Sequence, residues 1–215
     1  ALSANKIRTG LTVLGIIIGI GSVIAMVAIG AGAQNAIQSS IQSIGSNLVM
    51  VMPGAQRSPG YQINTSRGSA KTITEEDATA ILGIPLAKAA APEISSRYQV
   101  TAKGTNTNTS VVGTTASYPD VRNVSVSEGT FITDQNVKNV SKVAVLGPTT
   151  RDDLFGVDAD VIGKAVRIKG IEFKVIGVTT KKGGTGFGSQ DDMIFIPLSA
   201  AARFLAGDSH LSVLS

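Results

Sequence analysis

The residues able to do chemistry in this chain are few, and their spacing does not suit it. His210 is the sole histidine, which excludes a pair of imidazole metal ligands and leaves no evident base for a serine nucleophile. The chain has no cysteine, so neither a thiolate metal site nor a disulfide framework can form. A phosphate-binding loop needs GxxxxGK[ST] at the start of a helix. The Gly-rich run Gly183–Gly188, inside KKGGTGFGSQ from Lys181 to Gln190, lacks that lysine and reads as a flexible loop. Asp152-Asp153 and Asp191-Asp192 offer oxygen ligands to a hard cation. Adjacent carboxylates point differently on any regular element, so solvated charge or a helix start is the expected role. Asn64, Asn108, Asn123 and Asn139 each begin an Asn-x-Ser/Thr match, ordinary in a chain this rich in Ser and Thr and relevant only in a glycosylating host. The expectation is therefore no catalytic residue, no cofactor and no metal on this chain.

One stretch does carry a strong physical signal. Leu11 to Ala33, LTVLGIIIGIGSVIAMVAIGAGA, holds no charge in 23 residues and comes just after Lys6 and Arg8. As a helix it would cover roughly 34 Å, enough for a hydrocarbon core of about 30 Å. The basic flank on one side only, with no charge between Thr9 and Gln56, places the N-terminus in the cytoplasm and the chain beyond residue 33 outside. Within the span Gly15 and Gly19 form a GxxxG. Gly21 with Ala25, and Ala28 with Gly32, continue small residues four apart, which lets another helix approach closely in lipid. Ile37, Ile41 and Ile44 extend the helical period among Gln and Ser, predicting a stalk that leaves the membrane and ends at Gly45. A cleaved signal peptide is the competing reading, since Ala31-Gly32-Ala33 has the small-x-small pattern. The apolar run exceeds the roughly 7–15 residues of such a peptide.

Composition narrows the class further. Net charge is +4, from 19 basic and 15 acidic residues, and the basic residues are dispersed among three Tyr, six Phe and no Trp. A nucleic-acid surface wants clustered Lys/Arg with stacking platforms, so none is expected.

Beyond the stalk the pattern predicts an α+β fold. Leu48–Met52 (LVMVM), closed by Pro53-Gly54, reads as a buried strand, and 55–70 as a polar loop. Thr74 caps a helix with acids in its first turn and Asp77 three residues on, ending by Gly83 to Pro85. Strands at 94–102 and 109–115, joined by a turn over 103–108, complete half of a small α+β sandwich. After Tyr118-Pro119 come a turn at Glu128-Gly129-Thr130, a strand at 142–146, a helical segment near 149–155, and strands at 165–168 and 173–178. The last two form a hairpin across Lys169-Gly170. A strand at 193–196, a helix capped by Ser199 and ending at Gly207, and the start of a strand within 210–215 complete the order.

In this order the chain resembles the membrane-proximal and extracytoplasmic portion of MacB-type ABC transporter permeases, a group including the lipoprotein-release and FtsX-like permeases. The carrying residues are Asn5-Lys6-Ile7-Arg8-Thr9 into LTVLGIIIGI, Gly45-Ser46-Asn47-Leu48, Val145-Leu146-Gly147, Leu154-Phe155-Gly156 and Ile162-Gly163-Lys164. Phe173-Lys174-Val175-Ile176-Gly177-Val178, Gln190-Asp191-Asp192 and Phe195-Ile196-Pro197-Leu198-Ser199-Ala200 complete the set.

The resemblance implies a division of the chain: a transmembrane and stalk helix over 1–46, a porter-like α+β part over 47–118, an inserted mainly-β Sabre-like part over 119–207, and a returning porter strand from 208 to 215. It implies a non-catalytic permease subunit in the inner membrane, working with an ATP-binding subunit or domain that holds ATP and Mg. It also implies a homodimer or related permease, with a membrane-fusion protein as a candidate further partner. The product would be export or mechanotransmission. The alternatives are a single-pass anchored binding or sensor domain, and a secreted hydrolase released by signal cleavage.

Overall fold

The computed structural model describes residues 6–44, 48–54, 71–183 and 190–215. The chain divides into two compact units, Ala1–Ser43 and Ile44–Ser215. The first holds all but the last residue of helix α1, Lys6–Ile44, 39 residues without a break. Its stretch Thr9–Asn35 is long and apolar enough to cross a membrane, and apolar side chains such as Ile17, Ile24 and Ile29 stand exposed all along it. Water does not tolerate so continuous an apolar surface, whereas lipid or neighbouring helices do. The expected stalk is present as backbone through Ile41 and Ile44; Ile37 is exposed. Gly45, offered as its cap, lies outside the described residues, as do the loop at 55–70 and residues 184–189 of the Gly-rich run.

The second unit is α+β. Helix α2 (Glu75–Leu82) precedes strands β1 (Pro92–Ala102) and β2 (Thr105–Thr114), helix α3 (Tyr118–Arg122) and strand β3 (Val126–Gly129). Helix α4 (Asp134–Lys138), strand β4 (Val143–Leu146) and helix α5 (Pro148–Phe155) come next, then strands β5 (Ala165–Ile168), β6 (Ile171–Thr179) and β7 (Met193–Pro197). Helix α6 (Leu198–Ala200) continues into a π-helical turn, Ala201–Ala206, before the short strand β8 (Val213–Leu214).

The strands do not form a sandwich. β1 pairs β2, β2 pairs β7, β7 pairs β4, β4 pairs β6, β6 pairs β5, and β5 returns to β1 at Val100↔Ile168. Six strands thus close a ring, with β8 added to the start of β1 and β3 to β6. Closure removes the unpaired edges that an open sheet would expose. Strands from both sides of residue 118 take part, as in the parallel pairing Val112↔Phe195.

Side-chain alternation sorts the core into two layers. Val111, Ile194, Leu146, Val166, Ile168, Phe173 and Val175 belong to the larger buried cluster, together with Val100. One residue along, Val112, Phe195 and Val145 belong to a second cluster with Tyr118, Val124 and Ile132. These three stand side by side on neighbouring strands. β4 and β7 are therefore buried on both faces, which is why VAVL and MIFIP read as continuous apolar runs while β5 alternates. The Tyr118 and Phe131 rings lie 5.1 and 5.6 Å from the Phe195 ring and close this outer layer.

Four expectations need correction. LVMVM is not a buried strand: Val49 to Met52 are exposed, and Val51 makes a single bridge to Leu214. Among the described residues its only strand-type pairing is with the two-residue β8, so no sheet face covers it. The turn over 103–108 shrinks to Lys103-Gly104, both at positive φ. Thr105–Asn108 instead pair with β1, polar residues forming an exposed strand end. Lys169-Gly170 makes the same kind of turn, as expected. Ser199 does not cap its helix, because β7 runs straight into α6 at Pro197; its hydroxyl donates to the Val137 carbonyl instead. The half-sandwich is part of the ring. The start of α2 is as expected, with the Asp77 carboxylate accepting from the Thr74 amide at 2.8 Å.

Candidate functional site

The candidate features are a helix surface and a set of buried polar anchors. On α1 the small residues fall on two faces. At about 100° per residue, Gly15 and Gly19 lie within about 40° of one another, and Gly21, Ala25, Ala28 and Gly32 within about 60° on another side. A Cβ placed at Gly15, Gly19, Gly21 or Gly32 meets nothing within 4 Å, so each leaves open room for an approaching backbone. The hydroxyls on this helix turn inward: Ser22 donates to the Gly19 carbonyl and Thr12 to that of Thr9, both at 2.9 Å. Such back-bonding satisfies a hydroxyl where lipid offers no partner.

In the second unit the anchors gather where β1 begins. Glu93 is 5% exposed. Its Oε1 accepts from Arg122 Nε at 3.0 Å, Arg122 Nη2 at 2.8 Å and Ser215 Oγ at 2.9 Å. Arg122 Nη1 lies 3.2 Å from Met50 Sδ, and the Arg122 carbonyl accepts from Lys182 Nζ at 3.0 Å. Asp191, also buried, accepts the Lys182 and Gly183 amides at 2.9 Å each, fixing the start of the Gly-rich segment. Burial pushes the Tyr118 phenol above its ordinary range, the Glu93 carboxylate adds to this, and Arg122 opposes it. Burial likewise pulls the Lys182 ammonium down; Asp191 counters that and Arg122 reinforces it.

The acid pairs weighed as cation ligands are engaged otherwise. Asp152 pairs with Arg151, Asp153 accepts from Thr107, and Asp192 accepts from Thr150 and faces Arg97 at 3.6 Å. Among the described residues no three potential metal-ligating side chains gather. An open cleft of about 340 Å³ lies beside the Lys103-Gly104 turn, bordered by Arg167 and Glu172. Sequence reasoning missed Glu93 and Arg122, which stand 29 residues apart. The available signal was an acid set in the apolar surroundings of Ala90-Ala91-Pro92-Glu93-Ile94.

A family model described as the MacB-like periplasmic core domain matches residues 9–214. The macrolide export ATP-binding/permease protein MacB of Chlorobaculum tepidum is 38% identical over 212 residues, covering 98% of this chain and 32% of that protein. Its namesake from Azoarcus sp. is 40% identical over 213 residues, covering 98% and 31%. The chain thus spans about a third of the length of the curated relatives it matches. Among solved structures, the periplasmic region of MacB from Actinobacillus actinomycetemcomitans superposes with a TM-score of 0.67 at 20% identity, covering 81% of this chain and 75% of that one. The extracellular domain of the noncanonic ABC-type transporter YknZ from Gram-positive bacteria gives 0.60 at 19%, covering 77% and 81%. The fold is shared with both, and the match over residues 9–214 makes this chain a member of the MacB-like periplasmic core domain family.

Proposed function

We propose that the chain is the permease portion of a MacB-like ABC transporter, in which ATP hydrolysis by a nucleotide-binding domain, fused or separate, moves the extracytoplasmic domain. The carrying observation is the unbroken α1. Its 39 residues amount to about 58 Å, nearly twice a hydrocarbon core of about 30 Å. A helix that leaves the membrane intact can carry a rigid-body displacement outward. Lys6 and Arg8 keep its start on the cytoplasmic side of the inner membrane, where ATP is hydrolysed. The names of the relatives support the ATP-binding partner. The small residues of α1 are the surface for a second permease copy or for further membrane helices, and a membrane-fusion protein is a candidate partner of the external domain. ATP and Mg belong to the nucleotide-binding domain, and this chain performs no catalysis.

This surface is testable in the full-length protein. Gly21→Ile and Ala28→Ile each insert bulk where a neighbouring backbone would lie, and overpacking costs about 1–3 kcal/mol. The expected result is a roughly five- to hundredfold loss of helix association by in-membrane crosslinking, with the external fold intact by circular dichroism. Unchanged crosslinking would show that the small residues face lipid.

A further inference from the structure

The Glu93 anchor lies just outside the ring. The first β1–β2 pair is Ile94↔Gly113, and the ring closes through β1 at Val100 and Thr101, so no ring pairing uses Glu93. Glu93 instead holds the segment 212–215, which contains β8. Ser212 donates its amide to the Glu93 carbonyl at 2.7 Å, Ser215 donates its hydroxyl to the carboxylate, and Ser215 and Ala91 exchange backbone bonds. Strand β8 in turn holds the incoming segment. Val51 and Leu214 exchange bonds at 2.8 and 2.9 Å, and residues 49–52 are otherwise exposed. The Arg122 guanidinium touches both Met50 on the incoming segment and Glu93, which bonds the 212–215 segment.

We infer that Glu93 is a latch: its carboxylate ties the incoming segment 48–52 and the segment 212–215 to the ring, and its release opens these two together while the six strands stay closed. The energetics favour a separate opening. Opening removes Leu214 from the buried cluster, whereas opening the ring would expose its whole interior. Leu211, bonded to the Ile73 carbonyl, and Asp208, paired with Lys71, hold the chain before the latch and need not move. A carboxylate with three donors is the part most costly to unmake. The latch rests on the transport reading only for its purpose: a displacement arriving along the incoming segment would load Glu93 before it loads the ring.

The test is amide hydrogen exchange on the full chain in detergent micelles, without nucleotide. In the wild type the amides of Val51, Leu214 and Ser215 are expected to exchange at least about tenfold faster than those of β4 and β7. Glu93→Gln should accelerate the first group by a further factor of about ten and leave the second within about twofold. Equal acceleration everywhere, or none at Val51 and Leu214, overturns the latch. If Glu93→Gln does not fold, Ser215→Ala removes one donor and should accelerate the same three amides about threefold; no acceleration overturns it equally. Because nucleotide is absent, the result stands whether or not ATP moves the domain, so a failed latch and a failed transport reading remain distinguishable.

Discussion

Phe195→Ala is expected to destabilise the external domain by about 3–5 kcal/mol, the range for deleting a fully buried aromatic ring. Phe195 has no exposed surface and stands in register between Val112 and Val145. The Tyr118 and Phe131 rings, which lead into α3 and α4, rest on it. The cavity would open beneath two five-residue helices too short to hold themselves by helix energetics alone. The loss should therefore appear both as a lowered thermal midpoint and as rapid exchange across 118–138. Val157→Ala, at an 80% exposed position, is the control and should change stability by less than about 0.5 kcal/mol.

Gly147→Ala should cost roughly 3 kcal/mol, for a steric reason and not a conformational one. Gly147 has φ −71 and ψ 153, which any residue adopts. A Cβ there would sit 2.3 Å from the Asp191 carbonyl oxygen and 3.0 Å from that of Met193. Neither can retreat. The first accepts the Thr149 amide at 3.0 Å and the second the Gly147 amide at 2.7 Å, and the Asp191 side chain holds the 182–183 backbone. Gly156→Ala offers the contrast: it stands at φ 97 and ψ 163, an extended conformation essentially confined to glycine, with nothing within 4 Å of a Cβ, so only a backbone penalty of about 1–3 kcal/mol applies. Chemical denaturation of the three proteins checks the order, with Gly147→Ala below Gly156→Ala below wild type.

These glycines show what was legible in the sequence. Val145-Leu146-Gly147 and Ile176-Gly177-Val178 stood out as family-like runs, but why glycine occupies them depends on what lies opposite. At Gly177 a Cβ would come within 2.3 Å of the Thr130 carbonyl oxygen, a contact no local pattern reveals. Features set by neighbouring residues were readable: the long apolar helix, the Asp77 cap and the Lys169-Gly170 hairpin. Features set by distant pairing were not. Ring closure depends on β2 meeting β7 more than eighty residues later, and the polar residues Thr105–Asn108 resemble a loop until β1 supplies their partners. α3 and α4, at five residues each, are too short to display a helical period. LVMVM misled because a short apolar run signals burial only if something covers it.

The central claim is that nucleotide moves this domain through α1. The chain has no cysteine, so Val157→Cys gives these residues one exposed labelling site. The most direct measurement is the spin-label distance between two copies of the full-length protein, assembled with its ATP-binding domain in lipid nanodiscs. The account predicts that the distance distribution differs between the nucleotide-free and ATP-trapped states and returns after hydrolysis. A distribution indifferent to nucleotide, in a preparation that hydrolyses ATP, would contradict it and favour an anchored sensor.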